Sequence, residues 1–258
     1  MIARVLILTL ALLPVSSMLA AESEEDRMRA RTGVACDRSS GEPLYRELHE
    51  ERWEGSRLVE DRVTYSRPDG EVFATKRVDY RVDLVAPDFE LFNSATGHGE
   101  ALERQGDALV VRYRASQGEP ERSATVPPTA GLIADAGFDR FIAESWDRLV
   151  VGEPVVRPFL IPSRLGSVDM RIRRLSRGGG DGAVAFELAI DSALLRLVVP
   201  AIRVWYDAAT RALLRYEGTS NLRDADGRNL DVTIVFSSTS PAAWDCGGPA
   251  DDDAGGRR

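Results

Sequence analysis

The sequence predicts an α+β fold that is mainly β: a long curved antiparallel sheet forms an incomplete barrel, and a helical insert covers its concave face. Short runs of alternating apolar and polar residues, separated by Gly, Pro or Asp, fill most of the chain and indicate antiparallel strands. One stretch with helical spacing lies in the middle, near 136–150. Because twist accumulates across a sheet, about ten strands cannot stay flat, so we expect the sheet to curve.

The clearest strands lie near the C-terminal end, over 202–236. Three successive runs place apolar residues at every second position, and polar turns containing Asp or Gly separate the runs. The apolar positions are Ile202, Val204, Tyr206, Leu214, Tyr216, Leu230, Val232, Ile234 and Phe236. This spacing predicts three consecutive antiparallel strands whose apolar face must be covered by another part of the chain.

The first half of the chain predicts a second set of strands. Residues 43–53 fit either a helix or a strand, and we favour a strand because Gly55 and Ser56 follow as a turn and alternation resumes over 58–66. The run 72–84 predicts one long strand. One face of this strand would carry Val78, Tyr80, Val82 and Leu84.

Arginines mark the predicted outer face of the sheet. They alternate with Asp over 77–83, and more arginines follow on the strand predicted over 168–175. Cross-strand pairs of arginine and carboxylate on the solvated convex face explain this pattern. The alternative is a patch that binds anions.

The middle of the chain predicts the helical insert. Asp135 can cap a helix over about 136–150, in which apolar residues recur at spacings of three and four. The run 155–162 is apolar and contains two prolines, which predicts an apolar loop or an irregular strand. These large apolar side chains form either the core itself or the lining of a cavity for a hydrophobic ligand. The candidate cavity residues are Phe138, Phe141, Ile142, Trp146, Phe159, Leu160 and Ile161.

Four segments are predicted along the chain. Residues 1–21 have the basic start, apolar run and small final residues of a secretory signal peptide, and 22–42 is a charged flexible segment. A single curved-sheet domain spans 43–240, and 241–258 is a disordered tail. Because no later run reaches about 18 apolar residues, we expect no transmembrane anchor after signal cleavage and a soluble periplasmic protein.

The two cysteines, Cys36 and Cys246, flank the strand-rich region. An exported protein reaches an oxidising compartment, where a disulfide can form and persist. We therefore predict that a bridge joins them and ties the two ends of the fold together. The alternative is a pair of free thiols in flexible ends.

Composition argues against several classes of function. The formal net charge is −8, whereas proteins that bind nucleic acid or an anionic membrane surface usually present a basic patch. His49 and His98 are the only histidines, and we expect both at the surface. Isolated His and Cys residues predict no metal site and no cofactor. No catalytic residue stands out among the 41 acidic side chains.

The C-terminal strands also carry a resemblance. Val204-Trp205-Tyr206-Asp207, a polar turn, and Leu213-Leu214-Arg215-Tyr216 follow each other in a meander. This pattern, with the central helix and the proline-bounded apolar run, resembles uncharacterised bacterial periplasmic proteins that are similar to the half-barrel of the lipoprotein carriers. The resemblance implies a cavity for a hydrophobic ligand between sheet and helix.

We therefore expect a non-enzymatic periplasmic protein that binds a lipid-like or other hydrophobic ligand. The alternative is a structural or accessory envelope protein, which would bind a protein partner through a sheet edge or through 155–162. A hydrolase is a third hypothesis. It requires a polar cleft that gathers His98 or a pair of carboxylates.

Overall fold

The computed structural model describes residues 26–176, 182–192 and 199–238, together with Trp244 and Cys246. These residues form fourteen β-strands, two α-helices and a short 3-10 turn. The strands are β1 (Asp26–Asp37), β2 (Pro43–Glu54), β3 (Arg57–Ser66), β4 (Val72–Asp79), β5 (Asp88–Asn93), β6 (His98–Gln105), β7 (Ala108–Arg114), β8 (Arg122–Val126), β9 (Val155–Ile161), β10 (Gly166–Arg174), β11 (Ala183–Ile190), β12 (Ile202–Asp207), β13 (Leu213–Arg223) and β14 (Asn229–Ser237). The helices are α1 (Gly137–Glu144) and α2 (Trp146–Val150), and the 3-10 turn is Pro162–Arg164.

All of these strands belong to one antiparallel sheet. Its spatial order is β8-β7-β6-β5-β4-β3-β2-β1-β14-β13-β12-β11-β10-β9. Neighbours in the sheet are neighbours in the chain, except that β1 pairs with β14 in the middle of the sheet. The two edges are therefore β8 and β9, and the helical segment 127–154 connects them.

The sheet curls without closing, and a short segment covers the seam between its edges. Ile133 runs parallel to β9: its N–H donates to the carbonyl of Pro158 at 2.9 Å, and its carbonyl accepts the N–H of Leu160 at 2.8 Å. The next residue, Ala134, donates its N–H to the carbonyl of Val85 at 3.0 Å. The predicted incomplete barrel is confirmed, and its opening lies at this seam.

The helices lie on the concave face of the sheet, as predicted. Phe141 and Ile142 of α1 and Leu149 of α2 pack against inward-facing side chains of β9 to β12. Two further apolar clusters fill the same face, one centred on β5 to β7 and one on β1 to β4 with β13 and β14. A break at Ser145 divides the single helix predicted over about 136–150 into α1 and α2.

The prediction of a flexible segment over 22–42 is wrong for 26–37. These residues form β1, which pairs with β2 along its whole length and with β14 over its second half. Residues 26–30 are exposed and rich in charge, so the sequence pattern imitated a solvated tail. The strand is held by its backbone pairing rather than by an apolar face at this end.

The long strand predicted over 72–84 ends at Asp79. The carboxylate of Asp79 accepts the N–H of Arg81 at 3.0 Å, and that of Asp83 accepts the N–H of Val85 at 2.9 Å. These backbone N–H groups therefore bond to side-chain carboxylates in turns instead of to the carbonyls of a neighbouring strand. Val82, expected on the same face as buried residues, is 73% exposed.

Three other predictions about strands are confirmed. Residues 43–53 form β2 rather than a helix, and 202–236 form the meander of β12, β13 and β14. The run 155–161 forms β9. Pro158 has no N–H to donate, which an edge strand tolerates because one side of its backbone lacks a strand partner.

Cys36 and Cys246 lie at disulfide distance, with their Cα atoms 6.0 Å apart. Both are buried, and they pack with Val34 and Trp244 in a small cluster. The predicted bridge is confirmed, and the predicted disorder over 241–258 is wrong at Cys246. The signal peptide predicted over 1–21 lies outside the described residues, as does the rest of the predicted tail apart from Trp244.

The outer face carries the predicted pairs of arginine and carboxylate. Arg77 contacts Glu60 at 2.9 Å, and Arg173 contacts Glu187 across neighbouring strands at 2.7 Å. In the part of the chain that the structure describes, no helix is long and apolar enough to cross a membrane.

Candidate functional site

A row of polar side chains crosses the concave face of the sheet. The strand registers bring one inward-facing residue from each of seven neighbouring strands to the same level. From β1 to β7 the row is Arg31, His49, Val63, Lys76, Leu91, Glu100 and Tyr113. We call this row, with the adjoining Glu47, Glu51 and Asp61, the polar band. It places ionisable groups on a largely apolar face, where each charge needs a partner.

His49 occupies the centre of the polar band between two carboxylates. Its Nδ1 lies 2.8 Å from Asp61 Oδ2, and its Nε2 lies 3.2 Å from Glu47 Oε1. On the neighbouring strand β1, Gly33 pairs with Glu47, and a Cβ at position 33 would lie 2.8 Å from Glu47 Cγ. Gly33 therefore leaves room for the Glu47 side chain inside the barrel. All three ionisable groups are buried.

Burial and the nearby Arg31 both oppose protonation of His49. The hydrogen bonds to Asp61 and Glu47, with the negative charge of Asp61, outweigh them and raise the pKa of His49 above its ordinary value. The pKa of Asp61 is lowered: burial opposes this, and the hydrogen bond from His49 and its charge outweigh burial. The protonated imidazole and the two carboxylates thus stabilise one another.

The raised pKa of His49 predicts that stability falls as the pH rises above about 6.5, the ordinary pKa of the unfolded side chain. The stabilisation is fully present below the unfolded value and is lost as the pH passes the higher folded value. His49→Gln should cost about 1–3 kcal/mol near pH 6, as for charge-assisted hydrogen bonds, and less at a pH above the folded pKa of His49. Urea unfolding at several pH values measures both changes.

Leu48→Gln is the matched control for His49→Gln. Leu48 precedes His49 on β2 and points to the outer face, where it is 39% exposed. This variant should keep the wild-type dependence of stability on pH. Equal slopes for wild type and His49→Gln would show that the imidazolium of His49 does not supply the dependence.

Two carboxylates of the helical segment dock on the polar band. Asp135 contacts the ammonium of Lys76, and Asn221 Nδ2 donates to Asp135 Oδ1 at 3.1 Å. Asp139 of α1 accepts the hydroxyl of Tyr206 at 2.6 Å and lies 3.9 Å from Arg31. Ion pairs as well as apolar packing therefore hold α1 against the inner wall of the barrel.

The second histidine is also buried, so the expectation of two surface histidines is wrong. His98 begins β6 and has no exposed surface. Its Nε2 lies 3.2 Å from Glu100 Oε1, and its ring meets the ring of Tyr113 edge to face. Within the described ranges, no group of three or more His, Cys, Asp or Glu side chains could hold a metal ion.

A cleft of about 490 Å³ opens at the seam of the barrel. Its walls come from the loop after β4, the adjoining ends of β6 and β7, the segment after β8, the helices and β9. The lining residues are Asp83, Val85, Ala86, Arg104, Leu109, Pro128, Thr129, Gly131, Leu132, Phe141, Glu144, Ser145, Arg148 and Arg157. About half of them are apolar, and the charged ones include three arginines. We call this space the seam cleft.

The arginines of the seam cleft differ in their partners. Arg104 Nη2 donates to the carbonyl of Ala86 at 3.3 Å and lies 3.7 Å from Asp83. Arg148 contacts Glu153 outside the cleft at 2.5 Å. Arg157 makes no ion pair within 4.0 Å of any carboxylate that the structure describes.

Most of the seven predicted cavity residues belong to the packed interior. Phe141, Ile142 and Trp146 are buried in the cluster beneath the helices, with Phe138 and Phe159 packed against them. Leu160 lies in a different apolar cluster, and Ile161 is half-buried at the end of β9. Phe141 is the one member of the predicted set that lines the seam cleft.

Arg157 was not among the predicted site residues, although the sequence contains one signal for it. It is the only charged residue in the apolar run of β9, and a half-buried arginine at such a position usually has a specific partner. The other lining residues come from segments far apart in the chain. No local pattern could have brought them together.

No family model matches the chain, and no curated protein matches it either. Among solved structures, the chain is similar to a β-barrel-like protein of the domain of unknown function DUF1849 from Brucella abortus. The two share 8% sequence identity with a TM-score of 0.44, and the match covers 82% of this chain and 99% of that chain. A likeness at this TM-score carries no argument about function, and the resemblance to the lipoprotein carriers stays a prediction.

Proposed function

We propose that the protein is an exported, non-enzymatic periplasmic protein that binds a lipid-like or amphiphilic ligand in the seam cleft. The observation that carries this proposal is the cleft itself. Its volume of about 490 Å³ falls within the roughly 300–1,000 Å³ that ligand pockets usually have. The proposed ligand is of the class that the sequence predicts, but the proposed site is the seam cleft rather than a cavity beneath the helices.

The chemistry of the walls supports an amphiphile. Val85, Leu109, Leu132 and Phe141 supply apolar side chains to the lining, and burying apolar ligand surface there contributes about 25 cal/mol per Å². The arginines supply polar groups for the other end of the ligand.

The disulfide supports export. Bridges such as Cys36–Cys246 form and persist in oxidising compartments and are rare in the cytosol. The secretory pattern predicted for 1–21 points to the same compartment. The third hypothesis, a hydrolase, is weakened because His98 is fully buried and does not line the seam cleft.

The alternative function, binding of a protein partner in the cell envelope, is favoured by the edge strand β8. This strand pairs with β7 on one side only, and residues 122–125 are exposed or half-buried. A free strand edge can accept a strand from another chain. The following experiment tests the seam cleft alone, because β8 remains unchanged in both variants.

Thr129→Trp is expected to block ligand binding in the seam cleft. Thr129 is exposed at the cleft wall, so an indole ring at this position fills the cleft without entering the core. Affinity for N-phenyl-1-naphthylamine, an uncharged dye that fluoresces in apolar surroundings, should fall by at least about ten-fold, or 1.4 kcal/mol. Dye titration of the folded protein measures the change.

Ala130→Trp is the matched control. It adds the same ring at the next residue, which is exposed and does not line the cleft. This variant should bind the dye as the wild type does. If the wild type fails to bind the dye, or if both variants bind it equally well, the seam cleft is not a site for apolar ligands.

A further inference from the structure

We infer that the ligand of the seam cleft carries a single acidic headgroup and that Arg157 binds this headgroup. This inference rests on the proposed function, since it names the class of amphiphile that the same cleft takes. Three properties of Arg157 carry it. The residue lies at the cleft wall, neighbouring groups hold its side chain in place, and it makes no ion pair with a carboxylate that the structure describes. Arg157 lies on the edge strand β9 and is half-buried at the wall of the cleft.

The Arg157 side chain is held in place by three neighbours. Its Nη1 donates to the carbonyl of Val156 at 2.9 Å, and its guanidinium carbon lies 6.0 Å from the centre of the Phe141 ring. Gly131 lies against its stem: a Cβ at 131 would be 2.9 Å from Arg157 Cδ. The backbone of Gly131 has φ +73°, a left-handed conformation that favours glycine.

This support orients the guanidinium before any ligand arrives. An ordered arginine loses less side-chain entropy on binding than a free one, so it gains more affinity from each hydrogen bond. The planar fork of a guanidinium also matches the two oxygens of a carboxylate or phosphate group. The geometry therefore suits an acidic headgroup better than a hydroxyl.

The other charged groups at the cleft leave Arg157 as the principal recognition group. Arg104 is beside Asp83, and Arg148 is exposed and paired with Glu153, so both already have an anionic neighbour. Glu144 is exposed at the end of α1, where solvent and salt screen its charge. The half-buried guanidinium of Arg157 is screened less, and its positive charge attracts an anion.

The test compares three twelve-carbon amphiphiles, each kept at concentrations where it is dissolved as monomers: dodecanoate, dodecanol and dodecyltrimethylammonium. Each displaces N-phenyl-1-naphthylamine from the folded, oxidised protein. Dodecanoate should bind at least about ten-fold more tightly than dodecanol, the factor that 1.4 kcal/mol represents, and the cation should bind more weakly than dodecanol. Arg157→Gln should remove the preference for dodecanoate over dodecanol.

Two further variants make the result specific. Arg157→Lys keeps the charge without the fork and should restore part of the preference, whereas Arg164→Gln removes an exposed arginine outside the cleft and should change nothing. Thermal unfolding checks that Arg157→Gln remains folded. Equal affinities for the three amphiphiles, or a preference that survives Arg157→Gln, would overturn the inference while the proposed function stands. If none of the three displaces the dye, both fall.

Discussion

Reducing the Cys36–Cys246 disulfide is expected to lower the free energy of unfolding by about 2–5 kcal/mol. The bridge joins residues 210 positions apart, so it closes most of the chain into one loop and restricts the unfolded state. The chain-entropy relation gives about 5 kcal/mol for a loop of this length, which is an upper value. Urea unfolding of the oxidised and reduced protein measures the difference.

The position of the bridge explains why its loss should not abolish the fold. Cys36 lies on β1, whose backbone pairs with both β2 and β14 in the middle of the sheet. Those hydrogen bonds remain when the sulfurs separate. The double variant Cys36→Ala/Cys246→Ala should therefore match the reduced protein in urea. Identical unfolding midpoints for oxidised and reduced protein would contradict the entropic role of the bridge.

The alternation of residues predicted most strands because this signal is local. The meander of β12 to β14 has apolar residues on its inner face, so its period is visible in the sequence. In β1 and β2 the inner face carries Arg31, Glu47 and His49. Arg31 contacts Glu51 of β2, and His49 lies between Glu47 of its own strand and Asp61 of β3. A polar inner face removes the hydrophobic signal, which is why β1 resembled a flexible segment and β2 was ambiguous.

The site was harder to predict than the fold because it depends on contacts between distant segments. Most of the large apolar residues of the middle segment pack in the interior, and Phe141 is the member of that set that lines the seam cleft. The seam cleft exists because β8 and β9 do not pair. That property belongs to the whole sheet and has no signature in any single run of residues.

The polar band and the seam cleft are connected through α1. The helix places Asp139 against Arg31 of the polar band and Phe141 at the cleft wall, two residues apart on the same turn. Asp135, just before the helix, anchors the same segment to Lys76. The ion pairs inside the barrel therefore set the position of one wall of the proposed ligand site.

Lys76 is the only lysine in the sequence, and it lies inside the barrel with its side chain 9% exposed. Its compact ammonium group contacts Asp135, whereas all the other Lys or Arg positions of the sequence are arginines. Lys76→Met is expected to lower the free energy of unfolding by about 3–5 kcal/mol, because it leaves a buried carboxylate without its counter-charge. Urea unfolding measures the loss.

A second substitution tests whether the loss comes from the charge of Asp135. In the Lys76→Met background, Asp135→Asn should recover most of the stability, because replacing both charges removes the unpaired carboxylate. Asparagine tolerates the left-handed backbone at 135, where φ is 44°. On the surface, Arg67 pairs with Glu71, and Arg67→Met should cost less than about 1 kcal/mol. If Lys76→Met costs no more than Arg67→Met, or if Asp135→Asn recovers nothing, the buried pair does not anchor the helical segment.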